Sequence, residues 1–250
     1  LIKSMSRYLI IINFRTLITL FLSILTPIIA YNFNIVYNID LTLLSIAIIF
    51  PLVFTIRGAF KRREKALEHL SKFRASIKTV INFFVSSPKT EPEYKDKAIA
   101  ILNTVDDKLF DHLRTIDENF QPFDQNVEDF YSFLAENSVA IGNGTREKAL
   151  RFFKDTVESA NNLIAIHSHR TPVSLKAYCL IFIYIFPIIY TPTIINKIGP
   201  DNPSWLTFFI VILSEFILIS LYNIQDQMEY PFDDEGLDDI KFRLFKIDRK

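Results

Sequence analysis

Charged residues are missing from four long stretches of this chain, and no other feature limits its folding options so strongly. Between Arg15 and Asp40 lie 24 uncharged residues, between Asp40 and Arg57 another 16, and between Lys176 and Lys197 a further 20. A fourth run extends from Trp205 to Tyr222 and is interrupted only by Glu215. A helix rises about 1.5 Å per residue, so roughly 20 apolar residues cross the hydrocarbon layer of a bilayer. Three of the runs reach or approach that length, and the second is short. Any one of them alone could be a buried core helix. Four in a chain of 250 residues predict an integral membrane protein with four spans.

Composition excludes several other classes. Lys and Arg together number 28, as do Asp and Glu, so the formal charge is zero, and a nucleic-acid partner is not expected. The lone cysteine, Cys179, rules out an intrachain disulfide, and no Cys/His grouping has zinc-type spacing. The first run has basic residues ahead of it, as a signal peptide has. It exceeds the usual apolar length, however, and no small-x-small cleavage site closes it, so it is read as a retained span. The chain opens at Leu1 rather than Met, which leads us to expect residues ahead of it.

Orientation follows from the basic residues at the span ends. Lys3, Arg7 and Arg15 precede the first span, and Arg57, Lys61, Arg62, Arg63 and Lys65 follow the second. Lys241, Arg243, Lys246, Arg249 and Lys250 close the chain, whereas the link between the third and fourth spans carries Lys197 alone. Both termini and the long middle segment are therefore expected in the cytoplasm. The expected organisation is two spans over residues 1–56, a cytoplasmic helical region over 57–176, two spans over 177–225 and an acidic cytoplasmic segment over 226–250.

The middle segment changes to helical periodicity. Leu70, Phe73, Ile77 and Phe84 recur at helical steps, as do Ala98, Leu102, Val105, Leu109, Leu113, Ile116 and Phe120, and later Leu150, Phe153, Val157, Ala160 and Ile164. Breaks are expected at Ser86-Ser87-Pro88, at Gln121-Pro122 and at Gly142-Asn143-Gly144, where Gly142 can close a helix in the left-handed conformation and Asn143 or Thr145 can cap the next helix. Nothing but Gly58 interrupts the pattern between Phe54 and Ala75, so the first cytoplasmic helix should continue the second span. No stretch alternates as a strand does. The expected fold is all-α, with four transmembrane helices above a cytoplasmic helical bundle.

No catalytic constellation emerges. The four histidines are dispersed, His167 and His169 stand two apart on different helix faces, and no glycine-rich phosphate loop exists. We expect neither an enzyme nor a cofactor, and no metal site. The acidic run over residues 226–239 holds seven acids and no base; it reads as a solvated linker and lacks EF-hand spacing. Two intramembrane features draw more attention. Ile46, Phe50 and Phe54 stand four residues apart and share one face of the second span. Lipid contact or subunit packing explains such a stripe; in a symmetric ring it would instead form stacked apolar collars able to gate a pore by dewetting. Pro51 should bend the helix there. Glu215, in the middle of the fourth span, is a candidate intramembrane polar site, either bonded to a neighbouring hydroxyl or facing an ion path.

At two of these stretches the chain resembles the bestrophin family of ion channels. Residues 42–66 (TLLSIAIIFPLVFTIRGAFKRREKA) are similar to the family's pore-lining second helix, with Phe54, Phe60, Arg62 and Ala66 at matching distances. Residues 226–239 resemble the post-membrane segment, through Asp226, Glu229, Pro231 and Phe232. The resemblance implies one subunit of a ring-shaped homopentamer in membrane lipid, with a narrow neck at Ile46, Phe50 and Phe54 that passes small ions, chloride-type anions by family likeness. Here Ser45 stands where the family has Gly, and Phe50 and Pro51 replace its usual Ile and Phe. A membrane-anchored interaction protein, docking a partner on its cytoplasmic bundle, is the alternative.

Overall fold

The computed structural model describes residues 12–115, 120–199, 201–233 and 239–247. Ile116 and the acids at 234, 235 and 238 lie outside these residues, as do Lys3, Arg7, Arg249 and Lys250. Within them the chain is helical, in the order α1 (Phe14–Asn32), α2 (Thr42–Ser86), α3 (Pro92–Arg114), α4 (Gln121–Glu136), the single turn α5 (Ser138–Ile141), α6 (Asn143–Ser168), α7 (Val173–Ile198) and α8 (Trp205–Met228), followed by a 3-10 turn over Phe242–Leu244. The fold class is all-α. α1, α2, α7 and α8 are each long and apolar enough to cross a membrane.

Contacts divide the chain into two compact units, one of Leu1–Lys61 with Thr171–Glu229 and the other of Arg62–Arg170 with Tyr230–Lys250. The first unit holds α1, the first half of α2, α7 and α8. α1 opens on a capping box: the Asn13 side chain accepts from the Thr16 amide at 3.1 Å, and the Thr16 hydroxyl accepts from the Asn13 amide at 3.3 Å. Its buried face is Thr16, Thr19, Ser23, Pro27 and Ala30, spaced three and four apart. Small residues of this kind let helix backbones approach closely, which matters in lipid, where burying Leu against Leu brings little advantage over leaving it in hydrocarbon. α1 runs antiparallel to α8. Asn223 donates to the Thr16 hydroxyl at 2.9 Å near one end of the pair, and Tyr31 and Thr207 share a 2.8 Å bond near the other. The remaining apolar core of this unit joins Ile48 and Leu52 of α2 to Cys179, Ile183 and Phe186 of α7 and to Leu218, Ile219 and Tyr222 of α8.

The second unit is a water-type bundle. The second half of α2 buries Ala66, Leu70, Phe73, Ile77, Val80 and Phe84, an alternating four-three spacing that keeps one seam inward for five turns. Against it pack Leu102, Val105, Leu109 and Phe110 of α3, Phe123 and Phe130 of α4 and Phe153 of α6. The rings interlock, with Phe130 and Phe153 centroids 4.3 Å apart and Phe73 edge-on to Phe110 at 6.3 Å. Gln121-Pro122, expected as a break, begins α4: proline suits a first turn whose amides have no intrahelical acceptor. Gly142 takes φ +81° with an extended ψ of 136°, and α6 starts directly at Asn143 with no side-chain cap from Asn143 or Thr145. The segment over 239–247 returns to this core. Phe242 lies 4.9 Å from Phe110 and 5.6 Å from Phe232, Lys246 pairs with Asp107 at 2.6 Å, and the Ile247 amide donates to the buried Asp106 carboxylate at 3.3 Å.

Candidate functional site

The stripe on α2 is built by a helix with two unlike faces. Ile48, Leu52, Thr55 and Ala59 are buried along one face, where Ile48 and Leu52 pack with α7 and α8. On the opposite side Ile46, Phe50 and Phe54 are 46%, 56% and 61% exposed, so the helix is fixed along one face and leaves the aromatic face free. The Phe50 and Phe54 rings stand 6.1 Å apart, one turn from each other.

Pro51 lies inside α2 without ending it. It has no amide to offer the carbonyl four residues back, at Ala47, and the Tyr178 hydroxyl of α7 donates to that carbonyl at 3.3 Å. The stripe's helix is therefore tied to α7 at the turn where its own ladder is interrupted. Beside it a cleft of about 530 Å³ is lined by Asp40, Ser45, Ile46, Phe50, Tyr190 and Lys197, among others.

Glu215 is fully buried, and neither carboxylate oxygen has a hydrogen-bond partner among the described residues. The Thr16–Asn223 and Tyr31–Thr207 pairs set the α1–α8 register so that Ser23 is level with Glu215, but the Ser23 hydroxyl donates at 2.8 Å to the Leu20 carbonyl of its own helix. The hydroxyl bond expected for Glu215 is therefore not made.

At the other end of α8 the acidic run begins quite differently from a solvated linker. Asp226 accepts from Arg15 at 2.7 Å and from Lys176 at 2.7 Å. Glu229, only 3% exposed, pairs with Lys176 at 2.8 Å and also accepts from the Thr171 amide at 2.8 Å and from Gln225 at 3.1 Å. The network joins the starts of α1 and α7 to the end of α8. The sequence alone places these acids in a linker, counts Arg15 toward membrane orientation and leaves Lys176 as the edge of an uncharged run. The available signal was that Arg15 and Lys176 each stand alone at the edge of an apolar run. A second juxtaposition was also missed: His112 and His167, 55 positions apart, bring their rings to 5.6 Å, and His167 Nε2 lies 2.8 Å from the Thr115 carbonyl. Among the described residues no group of three His, Cys, Asp or Glu side chains could hold a metal ion.

No family model matches the chain, and no curated protein sequence does. Solved structures do. A bacterial bestrophin homologue from Klebsiella pneumoniae, phased on zinc, superposes with a TM-score of 0.76 at 14% identity, over 93% of each chain. A single-residue variant of that homologue gives 0.74 at 14% identity, over 93% of this chain and 95% of the other. A crystal structure described simply as a membrane protein gives 0.75 at 14% identity, over 93% of both. This is the bestrophin fold. At such low identity the bestrophin likeness rests on backbone geometry, and it extends over both compact units rather than over the apolar helices alone.

Proposed function

We propose that the protein is a bestrophin-type ion channel, a homopentamer in which five copies of α2 surround a central axis. The observation that carries this reading is the two-faced α2: one side is anchored on α7 and α8, and the other leaves Ile46, Phe50 and Phe54 about half exposed or more. A closed ring is the natural product of a head-to-tail interface. Around its axis the three residues would stack as apolar collars, too narrow and too poorly solvating to hold a water column until they widen. Pro51 and its Tyr178 anchor supply a mechanism for widening, because a shift of α7 pulls on the Ala47 carbonyl just before the Phe50 collar. The permeant species are small monovalent ions, chloride-type anions by family likeness. The membrane is a bacterial inner membrane with both termini in the cytoplasm, in keeping with the basic residues at the span ends.

Two measurements test the reading. A detergent-solubilised particle should contain five 29.1 kDa subunits, whereas a monomer or dimer sinks the ring and favours a membrane-anchored docking protein. In planar bilayers the Phe50→Ala, Phe54→Ala double variant should pass about tenfold more current, since truncation removes the dewetting barrier. Currents identical to the parent's would mean that the stripe faces lipid.

A further inference from the structure

Along α2, the face that carries the stripe does not end at Phe54. At about 100° per residue, Ile46, Phe50 and Phe54 lie within about 40° of one line, and Arg57 and Lys61 fall within about 20° of it. Both are exposed. They stand about 4.5 Å and 10.5 Å beyond Phe54 along the helix. Neither forms an ion pair with a described residue, in contrast to Arg15 and Lys176, whose charges are taken up by Asp226 and Glu229. Further along α2, Arg62 and Arg63 turn well away from this line, and the next residue near it is Glu64, about 15 Å beyond Phe54. Glu64 and Lys65 are neighbours of opposite sign, and Glu68 is held by Lys72 at 2.7 Å.

Three other acids are withdrawn from this face. Asp226 and Glu229 are neutralised in the network at the end of α8, and Glu215 is fully buried. Within about two turns of Phe54 the charge on the stripe's line is therefore positive and belongs to Arg57 and Lys61.

Resting on the channel reading, we infer that Arg57 and Lys61 form a basic collar at the cytoplasmic mouth of the neck that concentrates small inorganic anions there and sets the sign of the ion that passes. Rings of Arg or Lys select for anions in pores, and a low-dielectric mouth focuses their field on the entering ion. The same two side chains could instead bind the phosphates of lipid headgroups, which share the anionic chemistry.

The test is recording in planar bilayers of zwitterionic phosphatidylcholine under a tenfold KCl gradient. The parent should reverse on the anion side. Arg57→Gln with Lys61→Gln should lower the anion-to-cation permeability ratio about fivefold or more, and Arg57→Glu with Lys61→Glu, which reverses the charge, should move the reversal potential further toward the cation side. Because screening shortens the reach of a charge from about 30 Å at 0.01 M salt to about 3 Å at 1 M, the double variant's conductance should fall several-fold in dilute KCl and stay within about twofold of the parent's at 1 M. The parent alone supplies a check that needs no variant: its conductance should decline less steeply than salt concentration on dilution, and strict proportionality overturns the collar. An unchanged reversal potential in the double variant also overturns it, as does an effect seen only when anionic lipid is added, which assigns the pair to headgroups. A parent that forms no conducting particle at all overturns the channel reading, and the collar with it.

Discussion

The two compact units solve the same packing problem with opposite chemistry. The bundle of Arg62–Arg170 and Tyr230–Lys250 is centred on phenylalanine, with Phe73, Phe84, Phe110, Phe123, Phe130 and Phe153 fully buried. The unit of Leu1–Lys61 and Thr171–Glu229 buries Thr16, Thr19, Ser23, Thr191, Thr193, Thr207 and Glu215, and leaves many of its large apolar side chains on the outside. In water, hiding a Phe ring is the main source of stability. In hydrocarbon the outside is as apolar as the inside, so hydroxyl pairs, close backbone approach and the Arg15–Asp226–Lys176–Glu229 network must hold the helices together.

The largest expected effect tests the aromatic side of this contrast. Phe153→Ala should cost about 4 kcal/mol, through lost transfer energy and the cavity left against Phe130 and Tyr131. Thermal melts followed by circular dichroism should show Ile183→Ala, in the membrane unit, to be clearly milder. Equal losses would erase the distinction between the two interiors. Next in size, Lys176→Met should cost about 3 kcal/mol, because it strands the nearly fully buried Glu229 and removes one of two cations from Asp226. A melt unaffected by that change would show that the network contributes nothing to holding α1, α7 and α8 together.

The smallest effect concerns pH and the segment over 239–247. Burial pushes the Asp106 carboxyl up to about 7 and Asp107 adds to the shift, while the Ile247 amide, Lys246 and Arg74 oppose it. A carboxyl raised in the folded state binds a proton that the unfolded chain has released. This contribution to folding is therefore fully present near pH 4 and is lost as pH rises toward 7, by about 2 to 3 kcal/mol between pH 5 and 8. Thermal melts followed by circular dichroism should shift to lower temperature over that window, and Asp106→Asn should flatten the dependence. An equally steep dependence in Asp106→Asn would show that this carboxyl does not carry the effect.

Much of the architecture was readable before any coordinates. The uncharged runs predicted α1, α7 and α8 because excluding charge over about 20 residues is a requirement of the bilayer itself. The unbroken pattern past Phe54 anticipated that α2 would run on to Ser86, and the four-three spacing named its buried seam. The candidate site was half legible. Spacing alone put Ile46, Phe50 and Phe54 on one side of a helix. That this is the uncovered side depended on where α7 and α8 pack, which periodicity does not specify in a helix apolar all round.

What sequence determined here is local and one-dimensional: helix type, span length, the shared face of residues four apart. What only the tertiary structure decided is every relation between distant positions. Arg15 meets Asp226 across 211 residues, the Tyr178 hydroxyl reaches the carbonyl freed by Pro51, and Ile247 returns to Asp106. The reason is physical. Helical periodicity is set by hydrogen bonds four residues apart, whereas the partner of a charge or an unpaired carbonyl is chosen by packing, and packing depends on all the helices at once.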